Sequence, residues 1–211
     1  WYQRRVRGMS QSKELQKMLN NKYYMASDDQ LTQMRLEVRQ KIYQYNNSEP
    51  NDQQNRVMLL KSILGSMGSN VFIEPTFRCD YGYNIFIGNN FYANFDCIFL
   101  DVAKIVIGNN VMLGPGVQLL TPLHPIQATL RNTGFETAQP ITIGDNVWIG
   151  GRAVILPGVI IGNNCVIGAG SVVTKSIQDN CVVVGNPAKI IKSIQDATEE
   201  EKLLFIKQSS E

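Results

Sequence analysis

Residues 143–178 read IGDNVW-IGGRAV-ILPGVI-IGNNCV-IGAGSV-VTKSIQ when this stretch is divided into blocks of six. Each block opens with an aliphatic residue, which glycine follows in most blocks. A meander of ordinary strands has no reason to keep this period, whereas a fixed six-residue repeat is typical of a parallel β-helix. In that fold three short strands and three turns form one triangular coil, and the opening residues point inward. The predicted inward residues are Ile143, Ile149, Ile155, Ile161, Ile167 and Val173.

The same pattern extends towards the N-terminus. It begins weakly at Ile73 and Cys79 and continues at Ile87, Ala93, Phe99, Ile107, Leu113 and Leu119. The triplet Gly-Asn-Asn stands at 88–90, 108–110 and 162–164. Glycine and asparagine adopt tight corners readily, and stacked strands lie about 4.8 Å apart. These triplets are therefore predicted to form corners in a stack of coils.

Three segments flank the predicted β-helix of residues 66–192. Residues 12–65 carry apolar residues at helical spacing and are predicted to form an N-terminal helical segment, with Ser27 and Asp28 as candidate N-caps of its second helix. Residues 193–211 are predicted to form a tail whose charged helix, near residues 197–207, covers the open end of the β-helix. Residues 1–11 are interpreted as an expression scar or a disordered arm.

The composition favours a soluble, cytoplasmic protein that binds neither nucleic acid nor a membrane. The chain has 20 Lys and Arg against 18 Asp and Glu, and a net charge of +2 is too small to indicate a nucleic-acid partner. No stretch approaches the roughly 18 apolar residues of a membrane span. The cysteines are too far apart for CxxC zinc motifs and too few for a disulfide scaffold. Reduced, packed thiols are predicted, with disulfides left open, at Cys79, Cys97, Cys165 and Cys181.

The six-residue repeat is interrupted by a loop excursion at residues 120–141. This loop contains His124, the single histidine of the chain. Loops that project from a rigid scaffold commonly carry function, and an imidazole is suited to accept a proton near neutral pH. His124 is therefore the candidate general base. The alternative is a surface histidine in a long loop.

Several motifs resemble those of the maltose and galactoside O-acetyltransferases. They are YMASD at 24–28, FYANF at 91–95, HP at 124–125, PITIG at 140–144, VWIGG at 147–151 and GAGSVVTK at 168–175. Hexapeptides alone mark only the broad acyltransferase superfamily, whereas their combination with a helical leader and a His-Pro loop is much more specific. The resemblance implies a left-handed β-helix, acetyl-CoA as the acetyl donor, no required metal, and a homotrimer whose active sites lie between neighbouring subunits.

The resemblance also implies roles for individual residues. His124 takes the proton from the acceptor hydroxyl as that hydroxyl attacks the thioester carbonyl, and the backbone N–H of Gly151 stabilises the negative oxygen. The galactoside enzyme has serine at this position, so here only the backbone donor remains. A trimer-stabilising aromatic is the alternative for Trp148, and a solvated surface charge is the alternative for each lysine. The residues that match coenzyme-binding positions are Trp148, Gly151, Ala169, Thr174, Lys175, Lys189 and Lys192.

The acceptor implied by the resemblance is a small sugar-like molecule. Arg35, Tyr92 and Asn94 match positions that contact the sugar in the galactoside enzyme. Two acidic sugar contacts of that enzyme have no acidic counterpart here, because Ala26 and Val102 stand at their positions.

Nearby carboxylates offer substitutes for the missing acidic contacts. Asp101, and also Asp28, lie close in sequence to the positions concerned and are expected to substitute. Glu136, twelve residues after His124, is the candidate that fixes the tautomer of the imidazole. A backbone carbonyl would serve equally well, and contact with the acceptor is the alternative for Glu136.

Other functions of a β-helix require residues that differ from those in this chain. A γ-type carbonic anhydrase needs several histidine ligands for zinc, which this chain lacks. An acetyltransferase with another acceptor stays open: an antibiotic, a lipid-linked glycan or, disfavoured by the short helical leader, serine. A non-catalytic scaffold would need neither the His-Pro loop, nor Gly150-Gly151, nor Thr174-Lys175.

Overall fold

The computed structural model describes residues 11–209, so the arm predicted at residues 1–11 lies outside the described residues except for Gln11. The chain begins with the helices α1 (Lys13–Leu19), α2 (Asp29–Asn46) and α3 (Gln53–Ile63), and strand β1 (Tyr24–Met25) lies between α1 and α2. Each helix is capped by a side chain that accepts a backbone N–H: Ser12, Asp28 and Asp52. Asp28, rather than Ser27, is therefore the N-cap of the second helix.

Most of the strands that follow stack into three faces. The first face contains β3 (Val71–Ile73), β6 (Phe91–Ala93), β9 (Met112–Leu113), β14 (Trp148–Ile149), β17 (Val166–Ile167), β19 (Cys181–Gly185) and β20 (Ala188–Ser193). The second face contains β4 (Arg78–Cys79), β7 (Ile98–Leu100), β10 (Gln118–Leu120), β15 (Val154–Ile155) and β18 (Val172–Val173). The third face contains β2 (Ser66–Met67), β5 (Ile85–Ile87), β8 (Ile105–Ile107), β13 (Ile141–Ile143) and β16 (Ile160–Ile161).

The chain visits these faces in the same order in every coil, which makes the predicted left-handed parallel β-helix. Equivalent openers of successive coils pair in register; Ile107 lies opposite Ile87 on one side and opposite Ile143 on the other. Every predicted inward residue from Ile73 to Val173 is at most 8% exposed. The period of six is therefore confirmed, because each opener adds its apolar surface to one continuous core.

The corner between the third and first faces is built from asparagine. The last residue of each turn is left-handed, with φ between 55° and 61° at Asn70, Asn90, Asn110, Asn146, Asn164 and Asn180. Their side chains form a ladder, in which each amide donates to the next side chain at 2.9–3.2 Å. Glycine precedes the asparagines because coils are close here; a Cβ at Gly108 would lie 2.7 Å from the carbonyl carbon of Gly144.

The loop excursion leaves the stack after β10 and returns at β13. It contains β11 (Pro122–Leu123), helix α4 (Ala128–Arg131) and β12 (Phe135–Ala138). β12 pairs antiparallel with β11 on one side and with β1 of the helical segment on the other. The loop is thus held by a three-stranded sheet that joins it to the N-terminal segment.

The C-terminal end of the β-helix differs from the prediction. The tail helix α5 (Glu199–Ser209) has no buried residue, so the prediction that it covers the open end is wrong. The edge of the first face is paired instead with β20, which runs antiparallel to β19. Within residues 11–209, no helix combines the length and apolar character needed to cross a membrane.

Candidate active site

His124 follows β11 at the base of the loop excursion. Its side chain is 55% exposed, so a ligand can reach the imidazole. The Nε2 atom lies 3.6 Å from the Oε2 atom of Glu136, whose side chain is only 15% exposed. This distance is longer than a hydrogen bond but within the range of an electrostatic contact. The imidazole therefore has an open side towards solvent and a carboxylate behind it.

Glu136 has a second partner that the sequence did not indicate. The hydroxyl of Tyr24 donates a hydrogen bond to Oε1 of Glu136, the oxygen atom that does not face His124. Tyr24 lies opposite Glu136 in the pairing of β1 with β12 and is completely buried. One carboxylate thus contacts both a buried phenol and the exposed imidazole.

Asp80 is a second carboxylate at this site. It follows β4, in the corner between the second and third faces, and is half-buried. Burial and, after it, the negative charge of Glu136 raise the pKa of Asp80, while Arg35 and Arg39 act in the opposite direction. Asp80 is therefore close enough to Glu136 and Arg35 to interact with both charges.

Arg35 projects from α2 into the same region. Its guanidinium donates to the hydroxyl of Tyr81 at 2.6 Å and to the carbonyl of Ala26 at 2.7 Å. These two bonds fix the position of the guanidinium while Arg35 stays half-buried. The structure thus places Arg35 within electrostatic range of Asp80, which also interacts with Glu136.

Asp101 is not an acceptor contact. It has no exposed surface, and its carboxylate accepts backbone N–H groups from Asp80, Tyr81 and Asn84 at 2.8–3.2 Å. All of these bonds hold the corner below it, so the prediction that Asp101 binds substrate is wrong. Asp28 is also occupied, because its Oδ1 atom caps α2 and accepts the hydroxyl of Ser12.

Gly151 lies in a different corner, between the first and second faces. Its carbonyl accepts the N–H of Gly170 in the next coil at 2.9 Å, which fixes the turn. Among residues 11–209 its own N–H has no hydrogen-bond acceptor. A Cβ at Gly151 would lie 3.2 Å from the ring of Pro115, so a bulky side chain here would crowd the corner. The turn thus presents a fixed backbone donor.

The remaining predicted residues fall into two groups. On the first face, or on the corner that follows it, lie Tyr92, Asn94, Trp148, Gly151, Ala169, Lys189 and Lys192. In the corner that follows the second face lie the His124 loop, Asp80, Thr174 and Lys175. The two corners are at opposite edges of the second face. A single chain therefore does not bring Tyr92, Asn94 or Gly151 together with His124.

Sequence reasoning missed Tyr24 and Asp80. Tyr24 lies in the YMASD motif at 24–28, but its role depends on a partner 112 residues away. Asp80 precedes the YGYN segment without any local signal, and only the stacking of coils shows that it lies by the loop. Residues 11–209 contain no group of three or more His, Cys, Asp and Glu side chains that is arranged to hold a metal ion.

Two family models match separate parts of the chain. The family model of the bacterial transferase hexapeptide (six repeats) matches residues 140–175, and that of the maltose acetyltransferase hexapeptide capping motif matches residues 17–68. The second match runs from the end of α1 through β1, α2 and α3, and it includes Tyr24 and Arg35. The leader and the repeats are thus recognised separately.

Three similar proteins cover nearly the same region. The galactoside O-acetyltransferase of Escherichia coli K12 is 45% identical over 166 residues, which are 79% of this chain and 82% of that protein. A maltose O-acetyltransferase from Clostridium difficile 630 superposes with a TM-score of 0.86 at 51% identity, over 89% of this chain and 100% of that one. A galactoside acetyltransferase in complex with coenzyme A gives a TM-score of 0.84 at 40% identity, over 88% and 93%.

Proposed function

The chain belongs to the maltose and galactoside O-acetyltransferase family of hexapeptide-repeat acetyltransferases, and we propose that it transfers the acetyl group of acetyl-CoA to a hydroxyl of a sugar-like acceptor. The observation that carries this proposal is the exposed imidazole of His124 with the Glu136 carboxylate behind it. We expect the transfer to occur by direct attack, without a covalent enzyme intermediate, because the site needs only to hold both reactants in place.

His124 serves as the general base in this proposal. Its open side receives the acceptor hydroxyl and removes the proton as the oxygen attacks. Glu136 lies on the other side, where a negative charge stabilises the imidazolium that forms and favours one tautomer of the neutral ring. The shielded carboxylate and the exposed imidazole suit these separate roles.

Gly151 supplies the donor for the negative oxygen that develops on the acetyl carbonyl. A backbone N–H that is fixed by its turn and has no other acceptor in the described chain is preorganised for this task. Acetyl-CoA brings the thioester whose carbonyl is attacked. The corner has room for a ligand, since a Cβ added at Gly170 would meet no atom within 4 Å.

Coenzyme binding is assigned to the two groups of residues described above. Trp148 and Ala169 are exposed beside Gly151, and Lys189 and Lys192 on β20 offer charges for phosphates. Thr174 and Lys175 are exposed in the corner after the second face. The coenzyme A complex of a similar galactoside acetyltransferase supports acetyl-CoA as the donor.

A homotrimer completes the site. Three triangular stacks around a threefold axis present the corner with Gly151 of one subunit to the corner with His124 of the next, and such head-to-tail contacts close into a ring. The exposed apolar side chains of the first face, Tyr92, Met112 and Trp148, are suited to such an interface. A cytoplasmic location stays a prediction, for which fractionation of the producing cells is the test.

The acceptor site is lined by groups that suit a molecule with many hydroxyls. Asp80 accepts hydrogen bonds, and Arg35 donates them. Tyr92 and Asn94 would come from the neighbouring subunit. Asp80 replaces Asp101 as the carboxylate of the site, because only Asp80 is accessible. An antibiotic or a lipid-linked glycan stays the alternative acceptor.

The test is release of coenzyme A from acetyl-CoA with a panel of sugars, for wild type and His124→Ala. Loss of a general base typically lowers the rate roughly 100- to 10,000-fold. Ile126→Ala is the matched control, because Ile126 is 90% exposed in the same loop and contributes no proton acceptor. Both variants should keep the unfolding temperature and the subunit number of wild type.

Two results would contradict the proposal. Turnover that is indifferent to His124→Ala would require another base. Absence of turnover with every acceptor, together with no binding of coenzyme A, would indicate a non-catalytic scaffold.

A further inference from the structure

We propose that Tyr24 is a positioning residue for the base: its hydroxyl holds Glu136 in the orientation that keeps the imidazole proton of His124 on Nε2 and leaves Nδ1 to accept the proton of the acceptor. This inference rests on the proposed role of His124. It adds a residue of the helical leader to the proton-transfer machinery, through contacts that run from Tyr24 to Glu136 to His124.

Tyr24 has a fixed position in the folded chain. It is completely buried in a small core with Leu15, Leu31 and Tyr81, so the ring cannot turn towards solvent. The pairing of β1 with β12 places it directly opposite Glu136. A rigid ring with a single polar atom thus points that atom at one carboxylate.

The two carboxylate oxygens of Glu136 have different partners. Oε1 accepts the Tyr24 hydroxyl, whereas Oε2 is the atom 3.6 Å from Nε2 of His124. Fixing one oxygen of a planar carboxylate fixes the direction of the other. Without the phenol, the Oε1 atom of Glu136 would lose the hydrogen bond that fixes its direction.

The protonation state of the Tyr24 phenol limits its role to that of a donor. Burial and then the hydrogen bond to Glu136 raise the pKa of Tyr24 far above its ordinary value. The hydroxyl therefore keeps its proton throughout the neutral and mildly alkaline range. Tyr24 acts as a donor only and does not itself exchange a proton with the acceptor.

The position of the Glu136 carboxylate affects the tautomer of the His124 imidazole. A carboxylate that faces one ring nitrogen favours the tautomer with the proton on that nitrogen, and the other nitrogen keeps its lone pair. Since Glu136 faces Nε2, Nδ1 is the nitrogen left to accept a proton. The hydroxyl of Tyr24 affects catalysis only through this arrangement.

The experiment uses the full-length chain labelled with ¹⁵N-histidine. His124 is the only histidine, so the two ring-nitrogen resonances belong to it alone, and their separation in the neutral state reports the tautomer population. We expect the separation to shrink in Tyr24→Phe and in Glu136→Gln, and the double variant to match Glu136→Gln. The readout needs no turnover, so it tests this inference even if the proposed acetyl transfer fails.

Steady-state rates provide the second readout. Tyr24→Phe should lower kcat roughly tenfold, within the range for residues of one hydrogen-bond network, with an unchanged KM for acetyl-CoA. The same substitution should have no effect in a Glu136→Gln background, because there is then no carboxylate to orient. A merely structural role would lower activity equally in both backgrounds.

The control is Tyr45→Phe, which removes another buried hydroxyl. That hydroxyl donates to the carbonyl of Ile73 in the main core, away from the loop. It should leave the histidine resonances and kcat unchanged. Histidine resonances in Tyr24→Phe that equal those of wild type, or additive effects in the double variant, would overturn the inference.

Discussion

Asp80 and Asp101 show how little separates a ligand-facing carboxylate from a structural one. They lie in the same corner of adjacent coils, and the backbone N–H of Asp80 itself donates to the carboxylate of Asp101 at 3.0 Å. Asp101 is buried, and its carboxylate oxygens accept hydrogen bonds from backbone N–H groups. Asp80 is only half-buried and interacts with Arg35 and Glu136. Sequence proximity to the missing acidic contact therefore favoured the wrong residue.

Asp101 predicts a pH dependence of stability. Burial raises its pKa from 3.8 to about 6 despite the backbone hydrogen bonds, so the folded state holds the proton more tightly than the unfolded state. The resulting stabilisation is fully present below the unfolded pKa and is lost as the pH rises through about 6. Between about pH 4 and pH 7, wild type should lose up to about 3 kcal/mol of unfolding free energy relative to Asp101→Asn. Urea unfolding across this range measures it; a difference that stays constant or grows in favour of wild type would contradict it.

The asparagine corner stabilises the stacked coils through its left-handed backbone and its side-chain ladder. Asn146 is left-handed, with φ of 57°, and its side chain accepts from Asn110 and donates to Asn164, both at 3.0 Å. Asn146→Ala should lower the unfolding free energy by about 1–3 kcal/mol, because alanine is strained in this conformation and the ladder is interrupted. Asn146→Gly should lower it less, since glycine adopts positive φ freely. Equal losses would show that backbone conformation contributes nothing here.

The coils were predictable because the same physical demand recurs in each of them. Every opener must be apolar to enter the core, so Ile143 to Val173 could be identified one by one, and the interruption of that rule located the His124 loop. The pairing of β1 with β12 could not be predicted in this way. Tyr24–Met25 is a two-residue strand with no period of its own, and its partner lies more than a hundred residues away. The short sheet exists only because the whole fold brings both segments together.

The tail helix α5 is exposed along its whole length. None of its residues is buried, so it contributes little apolar burial to the rest of the chain. Deletion of residues 199–211 should leave the unfolding temperature within about one degree of wild type, well below the shift of about 2–4 °C expected per kcal/mol for a domain of this size. Differential scanning calorimetry measures this. A larger loss would show that the helix stabilises the folded protein or its assembly.

At the scale of the whole molecule, the proposed reaction depends on where the two groups of site residues lie. The loop with His124 and the turn with Gly151 lie at opposite edges of the second face, in neighbouring coils. The sequence motifs named both residues but gave no information on the distance between them. The order of the faces separates the two groups within one chain, and we propose the trimer as the assembly that joins them.

Mixing two inactive variants tests whether neighbouring subunits share the active site. His124→Ala lacks the base, and Gly151→Val should obstruct the backbone donor, since a Cβ there already meets Pro115. Each variant alone should be inactive. After subunits of both are unfolded together and refolded in equal amounts, activity should return to about a quarter of wild type, because random assembly pairs an intact His124 corner with an intact Gly151 corner at that frequency. Activity no greater than the sum of the two parents would show that each site lies within one chain and would contradict a site shared between subunits.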